Sequence, residues 1–207
     1  MAGMTTEAAR ILRLDAIILA AGFGSRFGGR KLTAPWRDGR LIDGALGSAL
    51  AAPVREVVVV TGADARVADA VAAFEDRSNR VRLVHAADHA LGMSASLRAG
   101  IAALPSDCDG VFVFLGDMPS IPPMILPMLA EAVLHGAVAA APVFEGRRGH
   151  PVLFSRVLFP AMARLTGDEG ARDIVRELGG KLASIETTER GVLFDVDAPD
   201  DLKEACG

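Results

Sequence analysis

Between Leu19 and Lys31 the chain reads Leu-Ala-Ala-Gly-Phe-Gly-Ser-Arg-Phe-Gly-Gly-Arg-Lys. Glycines let a backbone approach a phosphate closely and turn its N–H groups toward it. Arg26, Arg30 and Lys31 add mobile positive charge within a few residues. The combination describes a cradle for a polyanion. Two familiar cradles fit it badly. A P-loop needs GxxxxGK followed by Ser or Thr. Gly24 and Gly29 have that glycine spacing, but Arg30 stands in the lysine position and Leu32 follows Lys31. A dinucleotide fingerprint needs GxGxxG. Gly22 and Gly24 fit, yet Phe27 occupies the third place, and no acidic residue closes a second strand at the required distance. A plain strand-to-helix turn explains the glycines but not three cations.

Carboxylates follow further along. Asp117 comes directly after the apolar run Gly110–Leu115 and Gly116. An aspartate at the carboxyl end of a strand faces the ligand edge of an α/β sheet, where magnesium takes hard oxygen ligands beside substrate phosphates. The plainer alternative is an aspartate in a turn. Asp195 and Asp197 alternate along an extended stretch, so both point to one side and one or both can complete a metal site. Asp197 also stands at cap distance before Pro199. No Ser–His–Asp or Cys–His arrangement emerges. His85, His89 and His135 have no metal-ligand spacing with one another or with a cysteine. Trp36 after Pro35 reads as packing. Cations that can cradle a polyanion and carboxylates that can hold magnesium beside substrate phosphates suit chemistry on a phosphorylated ligand.

These groups need a sheet to align them. Short apolar runs read as buried strands at Asp15–Ala20, Glu56–Thr61, Val81–His85, Gly110–Leu115, Val138–Val143 and Pro151–Phe154. Between them Ile42–Ala52, Asp64–Phe74, Ser94–Ala103 and Pro122–Leu134 have helical spacing. Two more helices are expected near Ser155–Leu165 and Glu169–Leu178, short strands near Leu182–Ile185 and Val192–Phe194, and a last helix after Pro199. Alternating elements with doubly apolar strands predict a mostly parallel sheet covered on both faces. Ser94 and Ser96 stand where they would cap a helix. The 207 residues are 51% hydrophobic and 23% charged, enough for a core without disulfides and too apolar for disorder.

Net charge is −4, so the chain lacks the basic footprint of a nucleic-acid binder. Residues 1–45 nevertheless hold seven Lys/Arg against four Asp/Glu, a net +3, while the remainder is −7. An anion site is thus expected near the N-terminal end. No apolar run approaches the ~20 residues of a membrane span, and Met1–Asp15 does not read as a signal peptide. Cys108 and Cys206 form no framework, which points to a reducing cytoplasm.

The run LAAGFGSRFGGRKL resembles the signature of the MobA-like nucleotidyltransferases, LAAGxSxRMGxxK, and within them the molybdenum cofactor cytidylyltransferases. The resemblance continues in the family's order through GMSASLRAGI (Gly92–Ile101), FLGDMP (Phe114–Pro119), GHPVLF (Gly149–Phe154), GDEGAR (Gly167–Arg172) and DVDAPDDL (Asp195–Leu202). Arg30 departs from the family's usual Pro or Asp, and Ala198 from its usual Thr. The resemblance implies a three-layer α/β/α, Rossmann-like nucleotidyltransferase fold. It implies one such domain over residues 1–207, with 1–13 as an N-terminal extension. It implies CMP transfer from magnesium-bound CTP to the terminal phosphate of molybdopterin, with Arg26, Lys31 and Asp117 catalytic. Leu19, Ala20, Ala21, Gly22, Gly24 and Ser25 would join Arg26 and Lys31 around the nucleotide. Thr61, Gly62, Asp88, Ser96 and Asp117 would complete that site. Magnesium would sit on Asp117 with Asp197 and Asp195, and the acceptor would meet His150, Gly170 and Arg172. A recipient molybdoenzyme or its chaperone is the expected partner, with no nucleic acid and no membrane. The guanylyl branch reads LAGG where this chain reads Leu19-Ala20-Ala21-Gly22; the extra methyl narrows the base pocket and favours a pyrimidine. Guanylyl transfer, transfer to a sugar or alcohol phosphate, an NAD(P)-dependent oxidoreductase and a non-catalytic cofactor chaperone stay open as alternatives.

Overall fold

The computed structural model describes residues 11–22, 24, 27, 29–62, 64–74, 79–168 and 170–204. Strand β1 (Leu14–Ala20) is apolar on both faces and forms the centre of the sheet. It pairs in parallel with β4 (Val57–Thr61) and with β6 (Gly110–Leu115). The chain steps outward from β1 to β4 and β5 (Val81–His85), then returns to β6 on the other side of β1. Beyond β6 lie β9 (Val152–Ser155), β7 (Ala139–Phe144) and β10 (Leu182–Glu186). Strand β9 is antiparallel to both its neighbours. The reversal of strand order at β1 and β6 is a topological switch point, where an open α/β sheet leaves a crevice at its carboxyl edge. Leu19 pairs with Leu115 across this point, so the glycine-rich loop and Asp117 emerge at one level.

Successive residues of β1 divide the core. Ile18 faces a cluster with Ile42 and Leu46 of α1 (Leu41–Leu50), Val67 of α2 (Ala65–Ala72) and Leu126 of α4 (Ile125–Leu134). Ile17 faces Leu97 of α3 (Met93–Ala103), Met162 of α5 (Phe159–Met162) and Val175 of α6 (Arg172–Leu178). The three-layer architecture read from the apolar runs is the one observed.

Several local expectations are corrected. Val192–Phe194 is not a strand: Arg190–Leu193 forms a 3-10 turn, and the Val192 carbonyl accepts from His150 N at 2.8 Å instead of joining the sheet. The Ser155–Leu165 helix divides into a 3-10 turn, Arg156–Leu158, and α5, with Pro160 in the first helical turn, where its missing N–H goes unneeded. Helix α6 starts at Arg172, because Gly170 takes a left-handed φ of +57°. Two short pairings were not legible: β2 (Pro35–Trp36) with β3 (Gly39–Arg40), and β8 (Arg147–Arg148) folded back on β7. Trp36 packs on Leu41 and Val196, with the Arg37 guanidinium 4.3 Å over its ring.

The opposite, amino edge of the sheet is tied by ions. Asp15 is fully buried and accepts from Arg55 Nη2 at 2.7 Å and Nε at 3.2 Å, while Arg55 Nη1 reaches Asp107 at 3.0 Å. Neighbouring Cys108 is buried, and burial followed by Asp15 pushes its thiol up to about 12, so it is inert at neutral pH. Arg55→Ala strands the Asp15 carboxylate. We expect a loss of about 2–3 kcal/mol in urea unfolding, the low end for a broken buried pair because Arg55 itself is partly exposed. An unchanged midpoint would show that water replaces the guanidinium.

Candidate active site

After β1 the chain folds back on Gly24, whose carbonyl accepts from Phe27 N at 2.8 Å and Gly29 N at 3.3 Å. Gly24 has φ +54°, and a Cβ there would lie 2.9 Å from Lys31 Cβ. This close approach seats Lys31, the first residue of a 3-10 turn, over the end of β6. Its ammonium donates to Asp117 Oδ2 at 2.7 Å and to Asp197 Oδ1 at 3.1 Å. Burial pulls the ammonium pKa down, but the two carboxylates outweigh it, and the net shift is upward. Lys31 therefore stays cationic.

The C-terminal segment is fastened beside Asp117 by its main chain. Val196 N donates to the Asp117 carbonyl at 3.0 Å. Gly191 leaves no room for a Cβ against Ser120, nor Gly149 against Val192. The expected cap relation is reversed: Asp201 Oδ2 accepts from Asp197 N and Ala198 N, both at 2.7 Å, leaving the Asp197 carboxylate to Lys31. These backbone donors hold the Asp201 pKa below its ordinary value. Asp195 moves the other way, pushed up by partial burial and then by Asp197 and Asp117. Among the described residues no three His, Cys, Asp or Glu converge into a complete metal cage.

A cavity of about 450 Å³ opens over the crevice. Of the residues expected to contact a nucleotide, Leu19, Ala21, Gly22, Gly24, Lys31, Ser96 and Asp117 line it. Four other expected contacts are not among its lining. Ala20 is buried in the sheet, and Thr61 is tied there by its hydroxyl to the Val84 carbonyl at 3.4 Å. Gly62 backs the wall, since a Cβ there would meet Ala21 and His89 at 2.8 Å each. Asp88 is exposed ahead of the turn His89–Leu91. Ser25 and Arg26 lie outside the described residues. The lining also includes His89, Asp168, Asp64 and Met93, which sequence reasoning did not assign to it. Asp168 belongs to the GDEGAR motif, so that motif was a usable signal. His89 enters only because the segment after β5 folds over Gly62, which no local pattern announces.

Serine does not cap α3. Gly92 is its N-cap at φ +104°, without a side-chain cap bond. The Ser94 hydroxyl instead donates to the Thr166 carbonyl at 3.2 Å, and Ser94 N to the Gly167 carbonyl at 3.2 Å. None of the three expected acceptor residues is among the cavity's lining. Gly170 packs on the Met93 sulfur and Arg172 is exposed at the start of α6. His150 is largely enclosed, within electrostatic reach of Asp117 and Arg172, and its Nδ1 has no partner among the described residues. Burial pushes its pKa below the usual value, so it is neutral at pH 7 and is no cationic phosphate ligand.

Gly92 is the tightest joint of the cavity wall. A Cβ there would overlap Asp168 and lie 2.7 Å from the Gly167 carbonyl, at a φ that side chains rarely adopt. Gly92→Ala is expected to lose about 2 kcal/mol or more of stability and to weaken nucleotide binding. Urea unfolding and calorimetric titration check the two effects; unchanged values would mean that the loop yields freely.

Residues 16–182 match the family model described as "MobA-like NTP transferase domain". The chain is 29% identical over 188 residues to the molybdenum cofactor cytidylyltransferase of Escherichia coli (strain K12), spanning 91% of this chain and 93% of that protein. It is 32% identical over 189 residues to nicotine blue oxidoreductase of Paenarthrobacter nicotinovorans, spanning 87% and 90%. The crystal structure of Rv0371c from Mycobacterium tuberculosis H37Rv superposes with a TM-score of 0.79 at 25% identity, covering 95% of this chain and 98% of that one. Another structure of Rv0371c is a complex with manganese (TM-score 0.73, 25% identity, covering 93% and 97%). With this match over most of its length, a shared switch-point crevice and a nucleotidyltransferase-like sheet, the chain belongs to the MobA-like NTP transferase family of enzymes.

Proposed function

We propose that the protein transfers CMP from CTP to the terminal phosphate of a molybdopterin-type acceptor and releases pyrophosphate. The observation that carries this reading is the Lys31 ammonium held between Asp117 and Asp197 at the end of the crevice. Two carboxylates that share one cation are a natural pair of oxygen ligands for magnesium. That ion is commonly held by one or two carboxylates with substrate phosphates and water completing its shell, so it does not require a full protein cage. Asp117 and Asp197 would hold it, with Asp195 nearby; when bound, magnesium would neutralise charge on the transferring phosphate.

The protein's own groups do the remaining work. Lys31, and by family resemblance Arg26, meet the triphosphate. Ala21, Gly22 and Gly24 line the cavity where base and ribose would lie. The acceptor's phosphate oxygen forms a bond to the α-phosphorus. The bond from that phosphorus to the bridging oxygen breaks, and its electron pair leaves with pyrophosphate. Attacker and leaving group are both anions, so positioning and charge neutralisation dominate the barrier. Ala21 is buried in the wall, and its methyl reduces the room for a purine, which supports CTP over GTP. The E. coli relative's name supports the acceptor class.

The oxidoreductase relative makes hydride transfer the rival of another class. Phe27 in place of the third fingerprint glycine argues against a dinucleotide. A lysine between two carboxylates serves phosphoryl chemistry and has no evident part in hydride transfer. A thermal-shift panel of CTP, GTP, ATP, UTP and NADPH with magnesium separates the readings: the largest shift is expected for CTP, and a shift for GTP or NADPH without one for CTP overturns the assignment. Asp117→Ala is expected to reduce pyrophosphate release about 10²–10³-fold or more while the melting temperature holds. Near-normal release by that variant would sink the mechanism.

A further inference from the structure

A second groove, of about 630 Å³, borders the proposed metal carboxylates at Asp197 and Asp195. Phe144 and Arg147 of the β7–β8 hairpin line one part of it, Arg190 and Phe194 of the C-terminal segment another, and Asp195 and Asp197 also line it. Lys31 and Asp117 line the nucleotide cavity, Asp197 lines the groove, and Lys31 bonds to both carboxylates. The two spaces therefore meet at the group expected to surround the reacting phosphorus. In-line transfer requires the acceptor to approach from the side opposite the leaving group, so a second space abutting the same carboxylates is what the reaction needs.

We infer that this groove is the acceptor subsite, with Arg147 and Arg190 as its anion ligands and Phe144 and Phe194 as apolar surface for a ring-bearing phosphate ester. The inference rests on the nucleotidyl-transfer reading above and names the acceptor's contacts within it. Three features support it. Neither guanidinium has a hydrogen-bond or ion-pair partner among the described residues, although Glu145, Asp195 and Asp201 line the same groove. Unpaired arginines beside carboxylates are placed to meet a further anion. The hairpin that carries Arg147 is a two-residue turn with both central residues left-handed, Glu145 at φ 49° and Gly146 at φ 73°. Such a turn matches the twist of the strands, but glutamate is a strained choice at its first position. It fixes the start of β8 at the groove's rim. Lastly, the acceptor's phosphate must come close to Asp117 and Asp197. His150 is neutral and cannot offset that repulsion, and the exposed arginines can.

The test uses Arg147→Ala/Arg190→Ala in the full chain, assayed for pyrophosphate release with magnesium, CTP and molybdopterin. The acceptor KM is expected to rise about tenfold or more, with the KM for CTP held within about twofold and the melting temperature unchanged. Arg147→Lys/Arg190→Lys should recover part of the loss by keeping charge without the planar fork. An unchanged acceptor KM, or an equal rise for both substrates, overturns the groove while nucleotidyl transfer stands. If the wild type neither shifts with CTP nor releases pyrophosphate, the transfer reading itself fails and takes the groove with it.

Discussion

One ammonium holds the site together. Asp117 and Asp197 lie 86 and 166 residues from Lys31 in the chain, yet both accept its protons. Without a shared cation, two neighbouring carboxylates would repel and raise each other's pKa. Asp195, which feels both carboxylates, is raised even with Lys31 nearby. The geometry upstream serves this contact. Gly24 must be left-handed and lack a Cβ so that Lys31 can fold back, and Val196 must bond to the Asp117 carbonyl so that Asp197 arrives on the correct side. The same carboxylates are the ones a divalent ion would need. A side chain that neutralises them in the absence of metal lets the fold bring them together without the ion.

What was legible in the sequence was local. The apolar runs of β1, β4 and β6 are continuous because both faces are covered, and this places them at the sheet centre. An aspartate two residues beyond such a strand, as Asp117 is beyond Leu115, lies at its carboxyl edge whatever surrounds it. What stayed hidden depends on contacts between distant segments. Val192 and Phe194 have strand-like composition, but the Val192 carbonyl is taken by His150 and its segment packs on Ser120 and Gly149. Ser94 looks like a cap, but the Thr166–Gly167 turn engages both its hydroxyl and its N–H. Arg147 and Arg190 are separated by 42 intervening positions and carry no motif, so only the folded chain shows that they border one groove.

The charge balance gains a physical meaning from this layout. The chain's net −4 disfavours nucleic acid, whose long-range field senses the whole surface. A small anionic substrate responds to a few angstroms instead. There Lys31 faces the nucleotide cavity, and Arg147 and Arg190 face the groove beyond the carboxylates. Each space thus brings its own cations to a junction of aspartates.

Relatives with names as different as cytidylyltransferase and oxidoreductase match this chain over most of its length, so family membership alone does not select a reaction. The switch point supplies a crevice and fixes which strand ends face it; side chains decide the chemistry inside. Here the crevice floor presents two aspartates bridged by a lysine, in a loop lacking the third glycine of a dinucleotide fingerprint. Hydride transfer needs a cofactor held flat against its substrate and gains nothing from paired carboxylates at a phosphate cradle. Phosphoryl chemistry between two anions needs counter-charge on both sides of the moving phosphorus. A cavity that carries Lys31 and an arginine-bordered groove meeting at those aspartates answer that need, and on this ground transfer is favoured over reduction.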